Sequence, residues 1–576
     1  MDLADYDLPK VSPDALIIDV VEALAANGMP FETEEQDIRG IPHQVFKHQP
    51  QSLTEAFAQF ALYGDREFIV FGEERFTFAE TLGKSVQIAQ ALLNDYDLQK
   101  GDRVALAMRN YPEWPMAYLG IIAAGGVAVL MNAWWGENEL DFAMKDSGSK
   151  IAIADMPRAK LLASANPDLK IIVARDAVTA GDGFAALDPL ISSYDPTVWP
   201  SVDLGPDDYA MILYTSGSTG FPKGAVSDHR AILAVLFNWY CIVVALQLSG
   251  RTNPDPNFQP VMMVGVPFFH VTGLLPVMLV SALIGRKMVL LHKWDVELAL
   301  QAIEAEGVTN FTGVPTMSYE LAVSPVLSKY DTSTLLDVGG GGAARPAEHV
   351  KMIAENLGCN PGIGYGLTET NAMAANCSGP EYLERPSTTG KPTPPMMFIK
   401  IINPDGTEVK QGERGEVCIK SAANATCYWN NPEETAKSFI DGYFHTGDVA
   451  YQDEEGYLYI VDRIKDIIIR GGENISTIEV ESVLHGLPEV EDVMVFSLPC
   501  PRMGEIVGTA IVPTNKDFDE QKMLAGAGVE LAKFKLPERI WVRDEPLPLI
   551  ASGKIDKTAV KAHYRALWQL ELEGAS

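Results

Sequence analysis

Cysteine is scarce in this chain. Its six cysteines stand at positions 241, 359, 377, 418, 427 and 500, with no C-x-x-C pair and none beside a histidine at zinc spacing. That excludes a disulfide scaffold and predicts reduced, mostly structural thiols of a cytoplasmic protein. Positive charge is also short: 45 Lys and Arg face 77 Asp and Glu, a net charge of −32. General nucleic-acid binding needs a basic surface, and adhesion to anionic lipid needs the same, so both are excluded. Two apolar stretches test a membrane reading. Met116 to Trp135 is almost uncharged but carries Gly120, Gly125, Gly126 and Asn132, and reads as a helix leading into a buried strand. Val271 to Ile284 holds only fourteen residues, short of a span. No integral membrane segment is expected. The start, Met1-Asp2-Leu3-Ala4-Asp5, lacks the basic segment of a signal peptide. Repeats and low-complexity tracts are absent.

What remains is a globular composition, 47% hydrophobic and 21% charged over 576 residues. That length exceeds one core, so two or more domains are expected. Apolar β-rich runs such as 103–108, 150–154 and 287–291 alternate with helical patterns such as Leu298 to Glu306. The alternation predicts an α/β fold with mostly parallel strands. Composition breaks near residue 462, where a charged link, Asp462-Arg463-Ile464-Lys465-Asp466, follows a strand-like run. Ser476-Thr477-Ile478-Glu479 then fits a capping box, and strands are expected at 492–496 and 508–512. We place a large N-terminal domain of several subdomains at 1–464 and a small α+β domain at 465–576.

Four stretches carry chemistry. Tyr214-Thr215-Ser216-Gly217-Ser218-Thr219-Gly220-Phe221-Pro222-Lys223-Gly224 follows an apolar strand. Its glycines can turn N–H groups inward and its hydroxyls add donors, a concave array suited to polyphosphate. The Walker-type loop, G-x-x-x-x-G-K-[ST], does not fit: counted from Gly217, the sixth position is Pro222. In Gly364-Tyr365-Gly366-Leu367-Thr368-Glu369-Thr370, an aromatic ring could lie on a base and Glu369 could hold Mg²⁺, a hard ion that prefers oxygen. In Phe444-His445-Thr446-Gly447-Asp448, an acid on a turn could accept ribose hydroxyls. Ala551-Ser552-Gly553-Lys554-Ile555-Asp556-Lys557 sets a lysine on a glycine-containing loop. Taken singly, each has a plain reading: a Ser/Gly surface loop, a helix start, a turn, a solvated lysine.

Together, in this order and spacing, they resemble the adenylate-forming superfamily of acyl-CoA synthetases, luciferases and peptide-synthetase adenylation domains. The resemblance runs from about residue 50 to residue 560 and includes 267–273, 412–416, 462–466 with 471–475, and 534–537. It implies that Thr215, Ser216, Gly217, Ser218, Thr219, Gly220 and Lys223 embrace the β- and γ-phosphates of ATP. Thr368 would touch phosphate and Glu369 would hold Mg²⁺. Tyr365 and Gly366, with Gly342, Ala343 and Ala344, would flank adenine, while Asp448 and Arg463 would hold ribose. Lys554 would reach the carboxylate and α-phosphate. Lys465 would be the hinge of a mobile small domain, and Gly471 and Gly472 would line the path of the CoA arm. Departures from the family pattern are Gly340 where Ser is frequent, Ala344 where Pro is frequent, Lys465 where many members have Asp, and Pro548-Leu549-Ile550 where a basic residue is common.

By the same resemblance the chain is expected to join an acid to CoA through acyl-AMP, with ATP, Mg²⁺ and CoA as its small-molecule partners. His270 occupies the position where amino-acid-activating members carry Asp, which disfavours an amino acid. The candidate pocket stretches 237–240, 270–274, 314–319 and 371–374 are mostly apolar and hold no Lys or Arg. That favours a hydrophobic monocarboxylic acid, such as a medium- or long-chain fatty acid; aromatic and sterol side-chain acids stay open. His270 also reads as a packed core histidine. Three rival readings are an acyl-AMP ligase that does not use CoA, an inactive scaffold, and a nicotinamide dehydrogenase. The last rests on Gly339-x-Gly341-x-x-Ala344, which matches the dinucleotide fingerprint formally. A homodimer is one assembly open to the chain.

Overall fold

The computed structural model describes residues 3–12, 15–176, 178, 183–215, 222–255, 257–471, 473–550 and 554–574. Two large sheets organise the large domain. In the eight-stranded sheet the order is 427–428, 223–228, 209–215, 127–130, 103–107, 151–154, 170–173 and 185–186. Its strands are parallel except at the 427–428, 223–228 and 209–215 end, where two antiparallel pairings close the edge. The nine-stranded sheet runs 391–392, 375–378, 360–365, 337–341, 310–313, 261–264, 287–290, 67–71 and 74–77. It too is parallel inside and antiparallel at both ends. The fully buried strands Val104 to Ala107, Ile151 to Ala154 and Val261 to Val264 read as continuous apolar runs because both faces are covered by helices.

The expected helix-then-strand at 116–135 is present as Glu113–Ala123 followed by Val127–Leu130. Val271 to Ile284 becomes buried helical backbone, a π-helical turn Gly273–Leu279 running into Val280–Ile284. One helix, His229–Leu248, is long and apolar enough to cross a bilayer, but most of it is buried among the other elements of the protein. Its first half is apolar on nearly every side because it is buried on nearly every side, so no amphipathic period marks it in the sequence.

A third, antiparallel sheet (398–402, 415–420, 443–452, 439–440 and 458–463) carries the chain toward the small domain. The small domain has its own five-stranded sheet, 473–475, 468–470, 504–513, 490–500 and 539–542. Helices Thr477–His485, Glu520–Glu530 and Lys557–Gly574 accompany it, over two separate apolar clusters. Its two central strands, Val490–Cys500 and Gly504–Pro513, are longer than the sequence suggests. The capping box at 476–479 forms by half: the Ser476 hydroxyl accepts from the Glu479 N–H, while the Glu479 carboxylate turns to Lys535. All six cysteines are free.

Candidate functional site

Strand ends of the large domain and one loop of the small domain converge. The strand Tyr209–Thr215 leaves the eight-stranded sheet at Thr215, and the chain returns as Lys223–Asp228. Thr215 and Lys223 face each other across that pair. Ser216, Gly217, Ser218, Thr219 and Gly220 lie outside the described residues, as does Gly472.

From the nine-stranded sheet, Asn360–Tyr365 ends at Tyr365, whose hydroxyl donates to Asp448 Oδ2 at 2.7 Å. Asp448 is buried, and its other oxygen, Oδ1, lies 2.9 Å from Arg463 Nε. Asp448 and Arg463 sit opposite each other on adjacent antiparallel strands, so the sheet register itself makes the pair. Burial works against the Arg463 charge, but the Asp448 carboxylate overcomes it and holds the guanidinium above its ordinary value. Burial, then Asp448, pushes the Tyr365 phenol well up, so its proton stays in place as the donor. Behind this corner the Glu416 carboxylate accepts the Gly447 N–H at 3.0 Å and faces His445 Nδ1 at 3.2 Å, with Cys418 Sγ 3.5 Å from that nitrogen. These three donor atoms lie within 4.8 Å of one another and could hold a soft cation, but they already bond one another.

Gly366 is packed hard: a β-carbon there would stand 2.5 Å from the Ala372 carbonyl carbon. The short turn Thr368–Thr370 follows, and it buries Glu369 while Thr368 stays half-exposed. The Tyr428 hydroxyl donates to Glu369 Oε1 at 2.6 Å. Burial raises the Glu369 carboxyl above its ordinary value and the Tyr428 bond counters part of that rise. A buried carboxylate with one oxygen engaged and an oxygen-rich setting fits a hard divalent ion.

Gly342, Ala343 and Ala344 are exposed at the end of strand Asp337–Gly341. Gly342 has φ +77°, and a β-carbon on it would come within 2.6 Å of Lys554 Nζ. Glycine suits that backbone, and any side chain there would make the end of the lysine shift. Lys554 belongs to the small domain, so its ammonium crosses to the large domain here. Burial and the neighbouring Arg463 push its pKa down to about 8. His270 Nε2 is buried and has no hydrogen-bond partner. Burial and the Lys554 charge push the imidazole down to about 3, so it is neutral at working pH. Lys465, on the exposed link between the domains, is pushed down by burial of its ammonium and by Arg463. Gly471, also exposed, has φ +60° and donates its N–H to the Met503 carbonyl at 2.7 Å.

The pocket stretches named from sequence share one apolar cluster: Phe237, Leu274, Val314, Met317, Met373 and Ala374 are all buried in it. Sequence reasoning missed three residues. Tyr428 and Glu434 attend Glu369 and Lys223, Glu434 through an ion pair to Lys223. Arg345 explains the departure at Gly340. A β-carbon at 340 would fall 2.2 Å from Arg345 Nη2, and the buried guanidinium bonds the Gly362 carbonyl at 2.9 Å and Ser318 Oγ at 3.1 Å. The paired signal, glycine at 340 with arginine at 345, is visible in the sequence but has no meaning without the contact.

Residues 56–429 match the AMP-binding enzyme family, and residues 479–554 match the AMP-binding enzyme C-terminal domain. The chain is 32% identical over 501 residues to the long-chain-fatty-acid–CoA ligase FadD13 of Mycobacterium tuberculosis, covering 85% of this chain and 94% of that one. It is 33% identical over 494 residues to a feruloyl-CoA synthase of an Amycolatopsis species, covering 86% and 95%. The structure of ATP-bound MatB from Rhodopseudomonas palustris superimposes with a TM-score of 0.78 at 28% identity, over 89% of this chain and 99% of that one.

Proposed function

Because the chain belongs to the AMP-binding enzyme family and is an AMP-forming acid–CoA ligase, we propose that its acid is hydrophobic, a medium- or long-chain fatty acid. A carboxylate is a poor electrophile and must first be activated. Its attack on the α-phosphate of ATP brings two anions together and spreads charge over the phosphorus. The Lys554 ammonium, seated over Gly342, offsets that charge, while Thr215 and Lys223 hold the departing pyrophosphate. Asp448 and Arg463 hold the ribose and Tyr365 the adenine. Glu369 would bind Mg²⁺, which neutralises phosphate charge. The thiol of CoA then attacks the acyl-AMP carbonyl and AMP leaves.

One site serves both steps. The small domain turns about Lys465, withdrawing Lys554 and presenting Gly471 and Gly472 to the CoA arm. The observation that carries this reading is the small-domain lysine standing against Gly342 at the end of a large-domain strand. The acid class rests on the apolar cluster and on a His270 held neutral, which cannot pair with a substrate ammonium or a second carboxylate. The feruloyl relative favours a second reading, an aromatic acid. With the six thiols all free, a cytoplasmic location belongs to the same proposal.

The test is pyrophosphate release from MgATP against acids from acetate to oleate, with benzoate, cinnamate and ferulate added, with and without CoA. Release that requires a long aliphatic acid and quickens with CoA is the expected result. Release confined to cinnamate and ferulate would replace the fatty acid by an aromatic one. Accumulating acyl-AMP that CoA does not consume would contradict transfer to CoA.

A further inference from the structure

Tyr428 sits at the edge of the eight-stranded sheet, paired with Ala225 on the strand that begins at Lys223. It is 6% exposed. Its hydroxyl meets Glu369 Oε1 and its ring stands 5.4 Å from Lys223 Nζ. Two groups from separate motifs, a carboxylate and an ammonium, therefore touch one side chain. The rest of its segment is tied to the same place. The Ala425 N–H donates to the Glu369 carbonyl at 2.7 Å, so Glu369 is held by backbone and side chain at once. The Trp429 N–H donates to the Gly224 carbonyl at 2.7 Å, next to Lys223. The Thr435 hydroxyl accepts the Tyr428 N–H at 2.9 Å, and Phe439 packs edge-on against the ring at 5.9 Å.

We propose that Tyr428 is a positioning residue for the adenylation step. Its hydroxyl sets the direction of the Glu369 carboxylate for a divalent cation, and its ring stations Lys223 for phosphate. The inference rests on the proposed use of Glu369 and Lys223 toward MgATP. A phenol donating to Oε1 fixes the carboxylate plane and keeps the second oxygen outside that bond. The ring face attracts the Lys223 ammonium without neutralising it, whereas the Glu434 carboxylate on the other side does neutralise it. A tyrosine kept only for packing would do the work of a phenylalanine.

Tyr428→Phe keeps the ring and removes the hydroxyl; Tyr428→Leu removes both. The probe is Mn²⁺ titrated into the full chain holding α,β-methylene ATP, with free Mn²⁺ read by its EPR signal, beside Glu369→Gln as reference. Glu369→Gln is expected to abolish tight Mn²⁺ binding. Tyr428→Phe is expected to weaken it about 10-fold, the usual cost of losing an outer-shell partner. The KM for the acid stays put. Tyr428→Leu adds a rise in the KM for ATP through Lys223. Unchanged Mn²⁺ binding in Tyr428→Phe, with binding lost in Glu369→Gln, would overturn the positioning role and leave the site reading intact. Unchanged binding in both would overturn the site reading itself.

Discussion

The ribose corner and the lysine corner of the site are built in opposite ways. Asp448 is buried, is met by Tyr365 and Arg463 on its two oxygens, and owes its place to a register within one large-domain sheet. Lys554 comes from the small domain. Among the described residues no carboxylate pairs with it, and the space it fills is defined by a missing side chain at Gly342. The first corner is complete before anything binds. The second is a half-buried charge without a carboxylate partner, its pKa pushed down to about 8 by burial and by Arg463. A group needed in both half-reactions can be fixed; a group needed in one is better delivered, and a delivered group leaves the fixed part with a gap shaped for it.

Breaking the delivered side should have the largest effect. Lys554→Ala is expected to slow pyrophosphate release by about 10²- to 10³-fold. Thioester formation from supplied acyl-AMP should stay near the parent rate, and comparing the two rates in one preparation checks it. Gly342→Ala should act in the same direction, by about 10²-fold, since displacing a catalytic group by an ångström costs on that order. The added β-carbon would occupy the position 2.6 Å from Lys554 Nζ on a backbone at φ +77°. Equal losses in both half-reactions would mean the glycine serves the large domain rather than the lysine. Breaking the fixed side should cost less. Asp448→Asn weakens one charge-assisted bond and should raise the KM for ATP about tenfold, in adenylation measured at saturating acid.

The two corners were not equally legible in the sequence. Tyr365, Asp448 and Lys554 announce themselves because each lies on a glycine-bearing motif whose residue types already suggest a task, and Arg463 because it lies in the charged link at 462–466. The alternating α/β architecture and the small C-terminal domain follow from apolar runs that both faces of a sheet require. Tyr428 and Glu434 were invisible for a physical reason. Tyr428 is 59 positions from Glu369, and only the pairing of 427–428 on the edge of the sheet brings them together. Arg345 was hidden for a related one. Its meaning is the volume it takes beside Gly340, which shows only once the two residues are seen in contact. The capping box at 476 formed only by half because Lys535, from a distant turn, claimed the glutamate.

The most direct test of a delivered lysine needs no mutation. It is the pH dependence of the two half-reactions in the parent enzyme. On the proposed reading Lys554 acts as a cation, and its pKa is pushed down to about 8 by burial and by Arg463. The kcat/KM for pyrophosphate release should therefore fall as pH rises through about 8, since that parameter reports free-enzyme groups. Thioester formation from supplied acyl-AMP should show no such fall, and should rise as the CoA thiol ionises. An alkaline fall near that pH in both half-reactions would contradict a lysine that serves the first step and is withdrawn for the second.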